Sequence, residues 1–152
     1  MAPPRILFVC LGNICRSPTA HGVLRDLAAR DGVVIEVDSA GTGDWHIGSP
    51  PDPRAAAEAA RRGHDISDLR ARQVTAEDFH RFDLIVAMDR KNRRSLEALR
   101  PHGNTVPVRL FADYADTLAG DVPDPYLEGG FDHTFALIDA ASRGLLAALR
   151  PP

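Results

Sequence analysis

A chain of 152 residues is long enough to fold as one domain with a substantial core and no covalent or metal staples. Its formal net charge of −3 gives no global signature of nucleic-acid or membrane binding, and no apolar run approaches the length that crosses a bilayer. We therefore expect a single domain over residues 1–152 that binds neither nucleic acid nor membrane, and, without a signal-peptide pattern, a cytoplasmic location.

The first predicted element is a buried strand at residues 5–9, an apolar run that ends at Cys10. Ser17-Pro18 predicts the start of a helix, with Ser17 as the N-cap and the proline at the first helical position, where no N–H is needed. The loop between them therefore joins a strand's carboxyl end to a helix N-terminus. Backbone N–H groups and the helix dipole at such a place favour an anion, so we expect a phosphate to fit there.

Strand and helix patterns then alternate to the end of the chain. Helices are predicted at residues 19–30, 53–60, 90–99 and 131–149, with a short helix opening near Thr75, and strands at 33–37, 83–88 and 105–110. Pro107 favours an edge position for the last strand. The order predicts a three-layer α/β domain with a four-stranded parallel sheet and helices on both faces. Ligands of such sheets bind beyond the carboxyl ends of the strands, where the phosphate-binding loop lies.

The loop residues combine a nucleophile with an anion cradle. Cys10 faces the loop amides, the helix end and Arg16, surroundings that favour a thiolate at neutral pH. Arg16 can make paired hydrogen bonds to phosphate oxygens. Gly12 allows a bend, Asn13 tolerates a left-handed conformation, and Ser17 can cap the helix or hydrogen-bond the sulfur. A cysteine at a strand end is more often a small core residue, but this combination favours nucleophilic attack on a phosphoryl group.

Asp124 is the candidate general acid for the leaving alcohol or phenol. It lies between Pro123 and Pro125, which stiffen a loop that could hold the carboxyl over the site. The same tripeptide alone is more typical of an ordinary turn. The nucleophile loop earlier in the chain shifts the interpretation towards catalysis.

The chain offers no metal cluster and no cofactor motif. Its two cysteines, Cys10 and Cys15, both lie in the loop, and its six histidines lack metal-ligand spacing. We expect neither a metal nor a cofactor.

Four segments together, at residues 10–18, 37–42, 70–73 and 124–126, resemble a low-molecular-weight protein tyrosine phosphatase. The resemblance implies hydrolysis of phosphotyrosine and aryl phosphates through a phosphocysteine on Cys10. It implies that Arg16 binds phosphate and stabilises the transition state, and that Asp124 protonates the leaving phenol and later activates water. The implied partners are phosphotyrosine-containing proteins, with inorganic phosphate and other oxyanions as inhibitors.

The resemblance also assigns the other loop residues. The phosphate-binding set it implies is Leu11, Gly12, Asn13, Ile14, Cys15, Arg16 and Ser17. Within it, Cys15 matches a cysteine able to pair with the nucleophile under oxidation, Ser17 a hydroxyl that stabilises the leaving thiolate, and Asn13 a strained residue that maintains the cradle. Related arginine phosphatases have threonine at the position of Ile14, so the isoleucine favours phosphotyrosine.

Trp45 and Tyr126 are the expected walls of the substrate cleft, where two aromatic rings could sandwich a phenyl group. The alternative for Trp45 is a cover over the edge of the core. One departure from the family pattern is Leu69, at a place where the family commonly has a histidine that bonds to the loop asparagine and to serines. Loop rigidity here would rest on fewer bonds or on a water.

Three rival functions share parts of this pattern. An arsenate reductase of the same fold uses further cysteines, and none follows Cys15. A phosphocysteine-forming sugar-transport subunit would not require Arg16 or Asp124. A phosphotyrosine-binding module without catalysis would more naturally have lost Cys10 or Asp124.

Overall fold

A four-stranded parallel sheet forms the centre of the domain, and the computed structural model describes residues 2–116 and 120–150. Its spatial order is β2-β1-β3-β4. The strands are β1 (Arg5–Cys10), β2 (Glu36–Gly41), β3 (Leu84–Ala87) and β4 (Val108–Leu110). The predicted α/β fold is confirmed, and the last strand lies at an edge of the sheet as Pro107 indicated.

Six helices and one 3₁₀ turn connect and cover the strands in the described residues. They are α1 (Arg16–Arg30), α2 (Pro53–Arg61), α3 (Asp78–Arg81), α4 (Arg90–Leu99), the 3₁₀ turn (Phe111–Tyr114), α5 (Pro125–Glu128) and α6 (Phe131–Leu149). No helix in this part of the chain combines the length and apolar character that a membrane crossing requires.

The alternation of β1 divides the core between the two faces of the sheet. Ile6, Phe8 and Cys10 pack with residues of α1 and α6 on one face, whereas Leu7 and Val9 pack with residues of α3 and α4 on the other. Both faces of the central strand are fully covered, which is the arrangement expected of a parallel sheet. The carboxyl end of β1 and the start of α1 therefore meet at the edge of the first face, with Cys10 between them.

Several element boundaries differ from the sequence prediction. The second strand runs over Glu36–Gly41 rather than residues 33–37, because pairing with β1 starts at Arg5 and Glu36 and continues through small residues that have little strand propensity. The last strand is shorter and begins at Val108. The 3₁₀ turn and α5 were not predicted.

The prediction of Ser17 as a helix N-cap is wrong. Helix α1 begins at Arg16 with Cys15 in the cap position and no side-chain capping bond. Ser17 lies inside the first turn, where its hydroxyl is directed to the nucleophile loop instead.

Candidate active site

The loop between β1 and α1 is tightly curved and braced by the end of β2. Asn13 adopts a left-handed conformation with φ of 56°, the one positive φ outside glycine among the described residues. The N–H of Thr42 donates to the Cys10 carbonyl and that of Gly43 to the Leu11 carbonyl, each at 2.9 Å. A Cβ on Gly41 would lie 2.7 Å from the Leu11 oxygen, so glycine is required for this close approach.

The sulfur of Cys10 accepts hydrogen bonds from within this loop. The Asn13 backbone N–H lies 3.3 Å from Sγ, and the Ser17 hydroxyl lies 3.0 Å from it. The side-chain amide of Asn13 donates to that same hydroxyl oxygen at 2.7 Å, so the Ser17 proton is left for the sulfur at 3.0 Å or for the Ala40 carbonyl at 3.5 Å. The Asn13 backbone N–H and the Ser17 hydroxyl both lie against Sγ, where donated hydrogen bonds stabilise negative charge.

Arg72 supports the chain of donors from outside the loop. Its backbone N–H donates to Asn13 Oδ1 at 3.0 Å. Its guanidinium is held by Asp78 through two bonds of 3.0 and 3.1 Å and by Asp38 at 3.1 Å. Leu69, the residue that departs from the family pattern, packs against the apolar cluster on the α1 and α6 face. Leu69 cannot donate a hydrogen bond from its side chain, and the Asn13 side-chain oxygen accepts one from the Arg72 backbone instead.

Arg16 is buried at the base of the cleft, with 3% of its side chain exposed. Its Nη1 donates to Asp89 at 2.7 Å and to the Val122 carbonyl at 3.0 Å, while Nη2 lies 3.5 Å from an oxygen of Asp124. Burial lowers the pKa of the guanidinium, but the charge on Cys10, the bond to Asp89 and the charge on Asp124 outweigh it, so the pKa is raised. Arg16 remains a cation that is fixed in one orientation.

Asp124 has two structural roles at once. One carboxylate oxygen caps α5 by accepting the Tyr126 N–H at 3.1 Å, and the other faces Arg16. Asp124 is therefore part of a turn and also lines the cleft beside Arg16. Its side chain is 42% exposed, so the carboxyl is open to the cleft and to water.

The cleft above the loop has a volume of about 270 Å³. Its lining consists of Cys10, Leu11, Gly12, Ile14, Cys15, Arg16, Trp45, His46, Asp124 and Tyr126. Of the predicted phosphate-binding set, Asn13 and Ser17 are not part of this lining and instead lie under it, bound to the sulfur. Trp45 lines the cleft with 69% of its surface exposed, which does not fit the alternative of a core cover.

His46 is a lining residue that the sequence interpretation missed. Its ring lies edge-on to that of Tyr126, with centroids 6.2 Å apart, so it joins the two walls of the cleft. A Cβ on Gly12 would lie 3.0 Å from the His46 ring, so the glycine makes room for it. Its position next to Trp45 in the sequence could have indicated that His46 lines the cleft.

The two cysteines of the loop, Cys10 and Cys15, are both buried and free. Burial, followed by the charge on Asp52, raises the pKa of the Cys15 thiol to about 12. Cys15 is therefore a neutral thiol at physiological pH. Within residues 2–116 and 120–150, no group of three or more His, Cys, Asp or Glu side chains is placed to hold a metal ion.

Comparison with known proteins connects this geometry to one family. Residues 5–151 match the family described as low molecular weight phosphotyrosine protein phosphatase. The chain is 44% identical to the low molecular weight protein-tyrosine-phosphatase YfkJ of Bacillus subtilis over 95% of each chain. It is 46% identical to a low molecular weight protein-tyrosine-phosphatase of Streptomyces coelicolor, over 96% of this chain and 93% of the relative.

Solved structures agree with the sequence relatives. The crystal structure of YfkJ superposes with a TM-score of 0.93 at 42% identity, covering 97% of this chain and 95% of that one. Wzb of Vibrio vulnificus, solved in complex with benzylphosphonate, superposes with a TM-score of 0.85 at 30% identity, covering 97% of this chain and 99% of that one. The fold of this chain thus occurs in proteins of similar length.

Proposed function

The chain belongs to the low molecular weight phosphotyrosine protein phosphatase family, and from this premise we propose that Cys10, Arg16 and Asp124 carry out the hydrolysis of phosphotyrosine in proteins. The chain is a protein-tyrosine phosphatase, an enzyme class that acts on phosphotyrosine. The observation that most directly supports the residue roles is the set of donors aimed at the Cys10 sulfur beside a buried, oriented arginine.

In the first step the thiolate of Cys10 attacks the phosphorus of the substrate. The S–P bond forms, and the bond from phosphorus to the tyrosyl oxygen breaks. Asp124 gives its proton to that oxygen as it leaves. Arg16 and the loop amides hold the phosphoryl oxygens as negative charge is redistributed.

In the second step the same groups act in the reverse sense. Asp124, now a carboxylate, takes a proton from water while the water oxygen attacks the phosphorus. The P–S bond breaks and its electron pair returns to the sulfur. The Ser17 hydroxyl, 3.0 Å from Sγ, stabilises the thiolate that leaves. Inorganic phosphate is the product, and it and other oxyanions are expected to compete for the same cradle.

The aromatic walls favour an aryl substrate. Trp45 and Tyr126 line the cleft and offer apolar ring surface to a phenyl group. Ile14 lines the same cleft with an aliphatic side chain and supplies no polar group for a guanidinium. Phosphotyrosine is therefore the proposed substrate in preference to phosphoarginine, and Ile14 is a proposed selectivity residue.

Cys15 is the proposed redox partner of Cys10. Peroxide oxidises a nucleophilic thiolate to a sulfenic acid, and a nearby thiol can then trap the sulfenic acid as a disulfide with loss of water. The raised pKa of Cys15, about 12, makes its thiolate scarce at neutral pH and the trapping slow. A reversible Cys10–Cys15 switch stays a prediction.

The residue roles are tested by phosphate release from an aryl phosphate and from a phosphotyrosyl peptide. Cys10→Ser is expected to abolish turnover while binding of inorganic phosphate stays measurable, because the cradle amides and Arg16 remain. Cys15→Ser is the matched control in the same loop and is expected to keep its activity. Activity of Cys10→Ser within a few-fold of the parent would remove Cys10 from the mechanism.

A further inference from the structure

His21 is a buried histidine on α1 that the proposed mechanism does not use. Its side chain is 8% exposed, and its Nδ1 lies 3.0 Å from the hydroxyl oxygen of Ser39 on β2. Ser39 is itself 4% exposed. A side-chain bond between two buried polar groups is retained in a folded protein because breaking it leaves both unsatisfied.

His21 lies one helical turn after Ser17, so the two side chains share a face of α1. That face lies against β2 at both turns. The Ser17 hydroxyl oxygen lies 3.5 Å from the Ala40 carbonyl oxygen, and Ser39, the partner of His21, is the next residue in the strand. The strand pairs Ser39 and Ala40 with Phe8 and Val9, the residues that lead into Cys10.

We propose that His21 is a positioning residue for catalysis, which holds α1 against β2 through Ser39 and so keeps the Ser17 hydroxyl within reach of the Cys10 sulfur. This inference rests on the proposed function of Cys10 and Ser17. The 3.5 Å approach of Ser17 to Ala40 is too long to anchor the helix by itself. The 3.0 Å bond of His21 to Ser39 is the short tie between the two elements at this point.

The imidazole acts in this role as a neutral group. The charged groups around it are Arg25 on α1, Asp38 on β2, and Asp68 and Arg72 in the segment between α2 and α3. Burial lowers the pKa of His21 to about 4, and the charges of Asp38 and Arg25 follow with opposite signs. The ring therefore stays uncharged throughout the physiological range, and the tie to Ser39 does not depend on pH there.

His64 provides a matched control for this arrangement. It is also a buried histidine, 5% exposed, and its Nδ1 lies 2.7 Å from a carboxylate oxygen of Asp26, which, like His21, lies on α1. Asp26 lies more than two turns further along α1 than Ser17. Removal of His64 thus disturbs the packing of α1 without touching the turn that carries Ser17.

The test is a double-mutant cycle read in kcat on an aryl phosphate. His21→Leu fills the space without the bond and is expected to lower kcat by about 3- to 10-fold, the effect of one lost hydrogen bond on the barrier. In a Ser17→Ala background the same change is expected to lower kcat less than about 2-fold, because its effect is transmitted through Ser17. His21→Asn keeps a polar atom near the Nδ1 position and is expected to restore most of the activity.

The controls separate positioning from general loss of structure. His64→Leu is expected to leave kcat within about 2-fold in both backgrounds, with circular dichroism confirming that every variant is folded. An equal loss from His21→Leu with and without Ser17, or no loss in either, would overturn the positioning role. Residual activity in Cys10→Ser would instead overturn the proposed function, so the two failures are distinguishable.

Discussion

The floor and the walls of the cleft are built in opposite ways. On the floor, Cys10, Asn13, Arg16 and Ser17 are each no more than 3% exposed, and every one has a hydrogen-bond partner. On the walls, Trp45 is 69% exposed and the side chain of Asp124 42%. The groups proposed to hold the phosphoryl oxygens and the sulfur are thus preorganised, which lowers the cost of reorganisation during the reaction.

One residue on the walls, Asp124, is also proposed to take part in the reaction. Asp124 lies on an exposed turn, yet it is the proposed proton donor, and its position depends on its bond to the Tyr126 N–H and on Arg16. Because its carboxyl is exposed, the water that attacks in the proposed second step can reach Asp124 and return the proton that was given up in the first step.

The largest expected loss of activity from a change in the walls of the cleft comes from Asp124→Ala. Loss of the general acid is expected to lower kcat by about 10²–10⁴-fold on phenyl phosphates with poor leaving groups. The loss is expected to shrink for phenols of low pKa, whose oxygen needs less protonation as it leaves. Steady-state kinetics over a leaving-group series measures this. Asp121→Ala, a neighbouring exposed aspartate, is the control. Equal losses across the series would assign Asp124 to structure alone.

A smaller effect is expected on the stability of the folded protein at low pH, through the buried His21 below the floor of the cleft. The pKa of His21 is about 4 in the folded protein against the ordinary value of 6.5. As the pH falls from 6.5 towards 4, the unfolded chain binds a proton that the folded protein does not, so stability is lost. The loss attributable to this one group is about 3 kcal/mol at and below pH 4.

The measurement is urea unfolding of the parent and of His21→Leu between pH 7 and pH 4. Both proteins contain the same carboxylates. We therefore use only the difference between the free energies of unfolding of the parent and the variant at each pH. That difference is expected to move in favour of the variant as the pH falls. A difference that does not change with pH would show that His21 accepts its proton in the folded state.

The smallest effect is expected from the aromatic wall. Trp45→Ala is expected to raise KM for an aryl phosphate by about 3- to 10-fold with little change in kcat, since ring contacts contribute to binding before and during the reaction. Val34→Ala, which truncates another exposed apolar side chain that does not line the cleft, is the control. A fall in kcat with unchanged KM would move Trp45 from substrate binding to the reacting centre.

The nucleophile loop could be predicted from the sequence because its parts are close together in the chain. Cys10, Asn13 and Arg16 lie within seven residues, so local turn chemistry and the strand-to-helix order determine that they meet. Ser17 shows the limit of that reasoning. Its helix-capping role was an equally good local solution, and the structure uses its hydroxyl for the sulfur and for Asn13 instead.

The second strand was predicted at residues 33–37 but lies at Glu36–Gly41, because local sequence does not determine which residues pair with β1. Residues 33–35 are more apolar than Ser39-Ala40-Gly41, but Val34 is 74% exposed, and pairing with β1 extends to the small residues. Strand propensity describes how a side chain fits a half-buried surface, whereas the register of a parallel pair depends on a partner far away in the sequence.

The α/β layering and the phosphate loop after the first strand could be derived from the sequence alone, because each depends on periodicity or on neighbours in the chain. Only the tertiary structure decided which residues support that loop. Asp89 orients Arg16, the Arg72 backbone holds Asn13, and His21 ties α1 to Ser39. These bonds join residues that are 18 to 73 positions apart, and no local pattern specifies a contact whose partner is brought near only by folding.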